Sequence, residues 1–539
     1  MLKIMKKILK YLGLPVLMAG LVWSCDDLDV PITTQLTPEV FPQNSTQYIQ
    51  TAGPVYAAFR GEFSFAWWWS QTLTTDEAIL PARGGNWFDN RGYACQHYHD
   101  WTPDNGVGPW DWAEKVIGTS NQAISILNRT MPTGAEKSTM ISELKTMRAI
   151  SYFMMMDSYG AVPLDTVYGD FSSKPRSSRI EVFNFIEKEL KSAVPNLNAA
   201  SGISTYGRPN KQTANAMLAK LYLNAEVYTG TQRSNDCIAA CDAVINSGLY
   251  VIEPRSTYLQ MFYPNNGPAM KEFIFAVPYD PAAVTVGFNG QMYHARYDVP
   301  RSERTKFGLP FTPSAPRSTL PEFYAYFNDV NDIRNKQWLT GLQFMNDGVT
   351  PVTVTTTKKG YDQFYTGADG GAAYTYQVNL TPDIVLRQNP ALFDLGNDEI
   401  AWNMGYRNIK FYPDATSTNR NQNNDVPFLR YSDVILMKAE AILRGGSATL
   451  GQTPISLVNM VRSNRTTSAA WTGVTLEELY QERSREFTWE AWHRNDMIRF
   501  GKYEGKWGFK TNADTYRRIF PVPTYARVLN PALDQNPGY

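Results

Sequence analysis

Apolar residues recur at helical spacing through the first half of the chain, with Gly, Asn and Pro punctuating the repeats. Trp112 to Asn128 reads as an amphipathic helix. Glu136 to Tyr159 continues the pattern and stops at Gly160, with Pro163 beyond it. Arg179 to Val194 is stopped by Pro195, Lys211 to Tyr228 opens after Pro209 and ends at Gly230, and Asn235 to Asn246 ends before Gly248. From about 251 to 425 the long periodicity disappears, and Pro, Gly, Asn, Thr and aromatic residues rise. Short strands are predicted there over Glu272 to Val277 and Thr350 to Thr357. Helical patterns return at Tyr431 to Leu443, Ile455 to Ser463 and Leu476 to Phe500, and the last thirty residues are rich in Pro and turns.

Helix pairs of this length, joined by short turns, predict a mostly α fold built on a tetratricopeptide-like scaffold. A large loop-rich, aromatic-rich elaboration is expected on it, and such elaborations on rigid scaffolds carry recognition. The expected layout is a signal peptide over 1–24, a lipidated tether over 25–45, and one domain over 46–539. Within that domain, helical repeats with an N-terminal aromatic loop region span 46–250, the ligand-binding elaboration spans 251–425, and C-terminal helices with a Pro-rich tail span 426–539.

The N-terminus departs from this pattern. Lys3, Lys6, Lys7 and Lys10 precede an apolar run from Leu12 to Trp23. As a helix that run is about 18 Å long, against ~30 Å for a hydrocarbon core, so it reads as a signal peptide and not a membrane span. It ends in Leu-Val-Trp-Ser-Cys25, which resembles a lipobox and makes Cys25 the expected lipidated first residue of the mature chain. At ~0.8 kcal/mol per buried methylene, the two or three chains on such a residue anchor firmly. Asp26, Asp27 and Asp29 follow, an acidic run that resembles the surface-export signal of Bacteroidetes lipoproteins.

Charge and composition narrow the function. Lys plus Arg and Asp plus Glu each number 51, so loss of the four signal lysines leaves the mature chain acidic, which argues against nucleic acid. Cys95, Cys237 and Cys241 form neither a disulfide framework nor a zinc set. His97-Tyr-His-Asp100 looks like a metal fragment but lacks further ligands, so no metal is expected there and no cofactor, while a structural calcium is not readable from the sequence. Glu482, Glu486 and Glu490 recur at helical spacing, and paired carboxylates about 5 to 9.5 Å apart hydrolyse glycosides. Arg483, Arg485, Arg494 and Arg499 are interleaved with them, which favours an ion-pair network tying this helix to its neighbours. The chain is therefore not expected to be an enzyme.

Four separated blocks resemble one family. They are Met147-Arg-Ala-Ile-Ser-Tyr-Phe153 with Tyr159-Gly-Ala-Val-Pro-Leu164, Leu429-Arg-Tyr-Ser-Asp-Val-Ile-Leu-Met-Lys-Ala-Glu-Ala441, Glu482 to Phe500, and Asn530-Pro-Ala-Leu-Asp-Gln-Asn-Pro-Gly-Tyr539. In this order, and with the lipobox, they resemble the SusD/RagB family of nutrient-binding outer-membrane lipoproteins. The resemblance implies a helical, non-enzymatic surface protein, lipid-anchored in the outer membrane. It also implies delivery of oligosaccharides, or in some members peptides, to a SusC-type TonB-dependent transporter. A surface glycoside hydrolase and an inert adhesion stalk are the competing readings.

Sugar binding has a physical basis in this sequence. Flat rings pack against the C–H face of a pyranose, and amide, carboxylate or guanidinium groups beside them bond its hydroxyls. Gly84-Gly-Asn-Trp-Phe-Asp-Asn-Arg91 supplies that combination: Trp87 and Phe88 are candidate rings, and Asn86, Asp89 and Arg91 candidate polar partners. Seven tryptophans fall between Trp67 and Trp112. Consecutive side chains point in different directions, so one of Trp67-Trp68-Trp69 is expected at the surface, which adds Trp67 and Trp68 as candidates. Tyr293, Tyr297 and Trp338 are further candidates in the loop-rich region.

Overall fold

The structure, a computed structural model, describes residues 41–279, 292–357, 372–387, 390–417 and 420–539. Cys25 and the segments assigned to signal and early tether lie outside the described residues. Among the described residues no helix is long and apolar enough to cross a membrane.

Six helices follow one another as a stacked array: α1 Ser45–Glu62, α2 Trp110–Thr130, α3 Ala135–Tyr159, α4 Arg179–Ala193, α5 Lys211–Leu223 and α6 Ser234–Ile245. Each packs against the next, as helix-pair repeats do. Their ends are set locally. Ser178 and Glu181 form a capping box at the start of α4, Asn210 and Thr213 do so at α5, and Gly160 closes α3 with φ +74°.

The expected Lys211 to Tyr228 helix is broken at Asn224. The Asn224 amide donates back to the Lys220 carbonyl at 2.9 Å and its oxygen accepts from Arg499 Nη1 at 3.0 Å, which turns the chain before a short helix over Ala225–Thr229.

The loop-rich segment follows α6 and is closed at its base by an antiparallel pair. Strand β1, Phe273–Val277, lies against β2, Val426–Arg430, with Phe273 opposite Arg430 and Val277 opposite Val426. Everything between them is thus an excursion from one buried ladder. Its second predicted strand is Thr353–Thr356, paired with Tyr374–Gln377. The helical array then resumes: α7, Tyr431–Leu443, packs on α6, and α8, Pro454–Arg462, and α9, Leu476–Glu486, pack on α7.

The predicted Leu476 to Phe500 helix is two helices. α9 ends at Glu486, and α10 begins at His493 and runs to Arg499. Between them Trp489 and Ala491 take φ of +63° and +62°. Distant side chains hold this break. Lys410 Nζ donates to the carbonyls of Glu486 and Thr488, each at 2.9 Å, and Glu77 accepts from the Trp489 amide at 2.5 Å. The backbone groups left over where a helix stops are thereby satisfied inside the core.

Candidate functional site

The Gly84–Asn90 loop is assembled from its flanks. Ile79 pairs with Ser318 through bonds of 2.8 and 3.0 Å, and Ala82 sits beside Asp394. The chain then reverses between Arg83 and Asn86, with Gly84 and Gly85 both at positive φ (+61° and +81°), as a tight two-residue hairpin requires. A Cβ on Gly84 would lie 2.4 Å from that of Asn397, so no side chain fits there. The Asp394 carboxylate accepts from the amides of Gly84 and Gly85 at 2.9 and 2.6 Å.

Beyond the hairpin the backbone is strained. Trp87, Asp89, Asn90 and Arg91 have φ of +68°, +42°, +55° and +68°, none of them glycine. Residues of this kind cost of order 1–3 kcal/mol each and concentrate at functional sites. The result is a displayed loop: Asn86, Asp89, Asn90 and Arg91 are exposed, and Trp87 and Phe88 are half-buried.

Trp87 belongs to a continuous aromatic surface. Its ring meets Tyr297 edge-on at 5.4 Å and Tyr93 at 6.4 Å; Tyr293 meets Tyr297 at 6.1 Å, and Trp69 meets Tyr93 at 4.9 Å and Phe65 at 4.4 Å. Trp87, Tyr93, Tyr293 and Phe65 are half-buried and form its outer layer. Burial, reinforced by the neighbouring Asp89 carboxylate, pushes the Tyr93 hydroxyl well above its ordinary range, so it stays protonated and donates to Asp89. Arg296 lies over Tyr293 and Tyr297 at 5.4 and 5.2 Å. Asn86, Asp89 and Arg296 are thus polar groups beside half-exposed rings.

Phe88 is half-buried beside Trp87 in sequence but is not part of that outer layer, and four of the other aromatic candidates are buried behind it. Trp67, Trp68 and Trp69 are all buried, contrary to the expectation that one is exposed. The segment runs through the interior and is covered on every side, so each ring finds a different partner. Trp67 packs on Trp492, Trp68 on Trp489 and His294, and Trp69 on Tyr297 and Tyr93. Trp68 Nε1 also donates to the Trp489 carbonyl at 2.8 Å. Trp338 is buried against Trp489 and Phe327. Tyr297, only 6% exposed, is the backing of Trp87 and Tyr293 and offers no free face. Arg317 fixes it from beneath: its guanidinium lies 5.1 Å from the Tyr297 ring and 4.1 Å from Trp68, and pairs with Asp298 through two 2.7 Å bonds.

Arg91 also leaves the set. It pairs with Asp100 at 2.7 Å and lines a separate groove with Tyr98 and Asn512. Tyr93 and Arg296 were missed. Tyr93, two residues past Arg91 and aromatic, carried a signal; Arg296 joins the surface only through tertiary packing.

The residues suggestive of catalysis are committed elsewhere. Glu482, Glu486 and Glu490 are buried. Glu482 pairs with Arg334, Arg462 and Arg485; Glu486 with Arg334, Arg430 and Arg465; Glu490 with Lys410 and Arg430. Of the arginines interleaved with them in sequence, Arg485 alone is among these partners. Burial works against ionisation of Glu486, but Arg465, Arg430 and Arg334 overcome it and hold its carboxyl well below the usual range. His97 and His99 are buried and neutral. Burial, with Lys510 adding to it, lowers His97 to about 3 and His99 well below its ordinary value. His97 Nε2 accepts from the Phe509 amide at 3.0 Å, and His99 Nε2 donates to the Thr74 carbonyl at 2.9 Å. Among the described residues no group of His, Cys, Asp or Glu is placed to hold a metal ion.

Known proteins share this architecture. The SusD family profile matches residues 222–539, and a second profile, described as starch-binding and associating with the outer membrane, matches 66–223. The chain is 23% identical over 498 residues to the starch-binding protein SusD of Bacteroides thetaiotaomicron, covering 87% of this chain and 84% of that one. It is 25% identical over 472 residues to a SusD-like protein of Bacteroides ovatus, covering 80% and 76%. Its fold matches surface glycan-binding protein A of Bacteroides thetaiotaomicron, solved in complex with laminarihexaose, with a TM-score of 0.70 at 17% identity, over 91% of this chain and 99% of that one. With more than half of its length under one profile and the same helical scaffold throughout, this chain belongs to the SusD family.

Proposed function

We propose that this protein captures oligosaccharides at the cell surface, on the aromatic layer formed by Trp87, Tyr93 and Tyr293. The observation that carries the reading is the strained loop that holds Trp87 half-exposed, backed by Tyr297 and flanked by Asn86, Asp89 and Arg296. A pyranose laid on these rings buries its C–H face, while its hydroxyls reach amide, carboxylate and guanidinium groups. The glycan-binding names of its relatives support the same ligand class.

The captured glycan is handed to a SusC-type TonB-dependent transporter, as the family resemblance implies. Cys25 carries the lipid that holds the protein to the outer membrane, and residues 25–45 act as its tether. The protein is a binder and not a hydrolase, with no cofactor. The three glutamates best spaced for glycoside chemistry are locked in ion pairs, which supports that reading.

The test is a panel of neutral and acidic polysaccharides, with mixed peptides as a separate arm, run by affinity electrophoresis and calorimetry on the chain lacking residues 1–25. Retardation by a glycan, lost in Trp87→Ala, is expected. Binding of peptides and of no glycan contradicts the reading, and release of reducing ends over time contradicts the absence of catalysis. Radiolabelled palmitate is expected on the full chain and not on Cys25→Ala; label retained by that variant overturns the anchor.

A further inference from the structure

The residue that left the Trp87 surface marks a second feature. Arg91, Tyr98, Asp100, Asn512, Ala513 and Asp514 line an open groove of about 540 Å³. One wall is the 91–100 segment that leads directly out of the Trp87 loop, a second is the 511–514 turn near the C-terminus, and Pro390 and Ala391 add a third side. Arg91 lies four positions past Trp87, so their Cα atoms are within ~14 Å of one another even if the chain is fully extended.

The groove repeats the chemistry of the first surface. Tyr98 is half-buried, its ring seated against Phe393 at 5.4 Å, and supplies an apolar wall. The Arg91 and Asp100 side chains are 47% and 39% exposed. Their one bond, from Nη2 to Oδ2, leaves Arg91 Nε and Nη1 without a hydrogen-bond partner among the described residues. Asn512 is fixed, its amide donating to the His99 carbonyl at 3.1 Å and its oxygen accepting from the Asp514 amide at 2.8 Å. Asp514 is exposed. A ring wall with a guanidinium and carboxylates around it suits vicinal hydroxyls, which both donate and accept.

Charge selects among sugars. Arg91 is neutralised by Asp100, so Asp514 leaves this lining with an excess of negative charge, which disfavours uronic or sulfated units.

We propose that the groove is a second carbohydrate subsite, so that one neutral oligosaccharide lies on the Trp87 surface and continues past the Asp89–Arg91 turn into it. This rests on the glycan reading of the Trp87 surface and extends it to the length and charge of the ligand. Linking the two contacts through one chain makes the second effectively intramolecular, so affinity rises with ligand length until both are filled.

The experiment is calorimetry with ladders of malto- and laminari-oligosaccharides, from the disaccharide upward, on the chain lacking residues 1–25 and three variants. Wild type is expected to bind longer members of one ladder more tightly, with a further step once the groove is reached. Tyr98→Ala, and separately Ala513→Glu, which fills the groove from an exposed position without touching the core, are expected to leave short members unchanged. Both should weaken long ones by roughly tenfold. Trp87→Ala is expected to weaken every length. Equal affinities of wild type and both groove variants at all lengths, with Trp87→Ala still defective, overturn the second subsite and leave the first standing. Absence of any binding by wild type to either ladder or to the polysaccharide panel overturns both.

Discussion

Two regions of this molecule are rich in charged and aromatic residues, and they do opposite things. In the first, around Glu482–Glu490, nearly every charge is buried and matched. Glu272, Glu486 and Glu490 face Arg430, while Glu272 and Glu486 also face Arg465. These residues come from the position just before β1, from β2, α9, the break after α9, and the loop after α8, so the network clasps the last helices to the base of the loop-rich excursion. In the second, the Gly84–Arg91 loop, side chains are displayed and the backbone is strained to display them. The blocks that resemble the family, Leu429 to Ala441 and Glu482 to Phe500, fall in the clasp. Two of the four blocks that make the chain recognisable thus take part in holding it together, and the loop expected to choose a ligand lies outside all four.

Each region has a variant that separates them. Glu486→Ala leaves Arg334, Arg430 and Arg465 short of a buried partner and is expected to cost about 3–5 kcal/mol in urea unfolding. The surviving folded fraction should keep its glycan affinity; normal stability would mean the clasp does not hold the fold.

Arg317 stands at the border, since it is paired with Asp298 and lies under Tyr297 without reaching the surface. Arg317→Ala is expected to cost about 3 kcal/mol, by leaving buried Asp298 with the Trp489 indole but without its arginine. It should also weaken glycan binding severalfold, because the backing of Trp87 loosens. Unchanged affinity in the folded variant would show that the platform does not depend on this support.

A smaller effect is expected at Glu77. Burial raises its carboxyl to about 7, against the opposing pull of His493, from an ordinary value of 4.5. The protonated form is therefore favoured in the folded state. Its contribution to stability is complete below about pH 4.5 and is lost as pH rises through about 7. Glu77→Gln keeps an oxygen for the Trp489 amide and mimics the neutral acid. It should exceed wild type by roughly 2–3 kcal/mol at pH 8 and match it at pH 4.5, as read by unfolding at both pH values. An equal difference at the two pH values would contradict the assignment.

Much of the scaffold was legible because its signals are local. The bounds of α7 follow from periodicity alone, and α3 ends at Gly160 as its sequence indicates. The break between α9 and α10 was not legible, because the groups that stabilise it, Glu77 and Lys410, lie far away in sequence. The Trp67–Trp69 run misled for a related reason: the expectation of an exposed ring assumes one buried face, and this segment has core on all sides. The candidate loop was readable from two glycines beside amide, acid and aromatic residues. Its backing by Tyr297 and Arg317, the contribution of Arg296, and the diversion of Arg91 into the groove depend on how the excursion folds back, which no local pattern encodes.

If ligand recognition resides in the displayed loop and stability in the clasp, a single variant separates the two. Calorimetric titration of Trp87→Ala with the best wild-type glycan, beside urea unfolding of the same sample, tests this most directly. Strongly weakened binding is expected, with a stability change of about 1 kcal/mol or less, as for a half-exposed side chain. Wild-type affinity in a folded Trp87→Ala protein would contradict this separation.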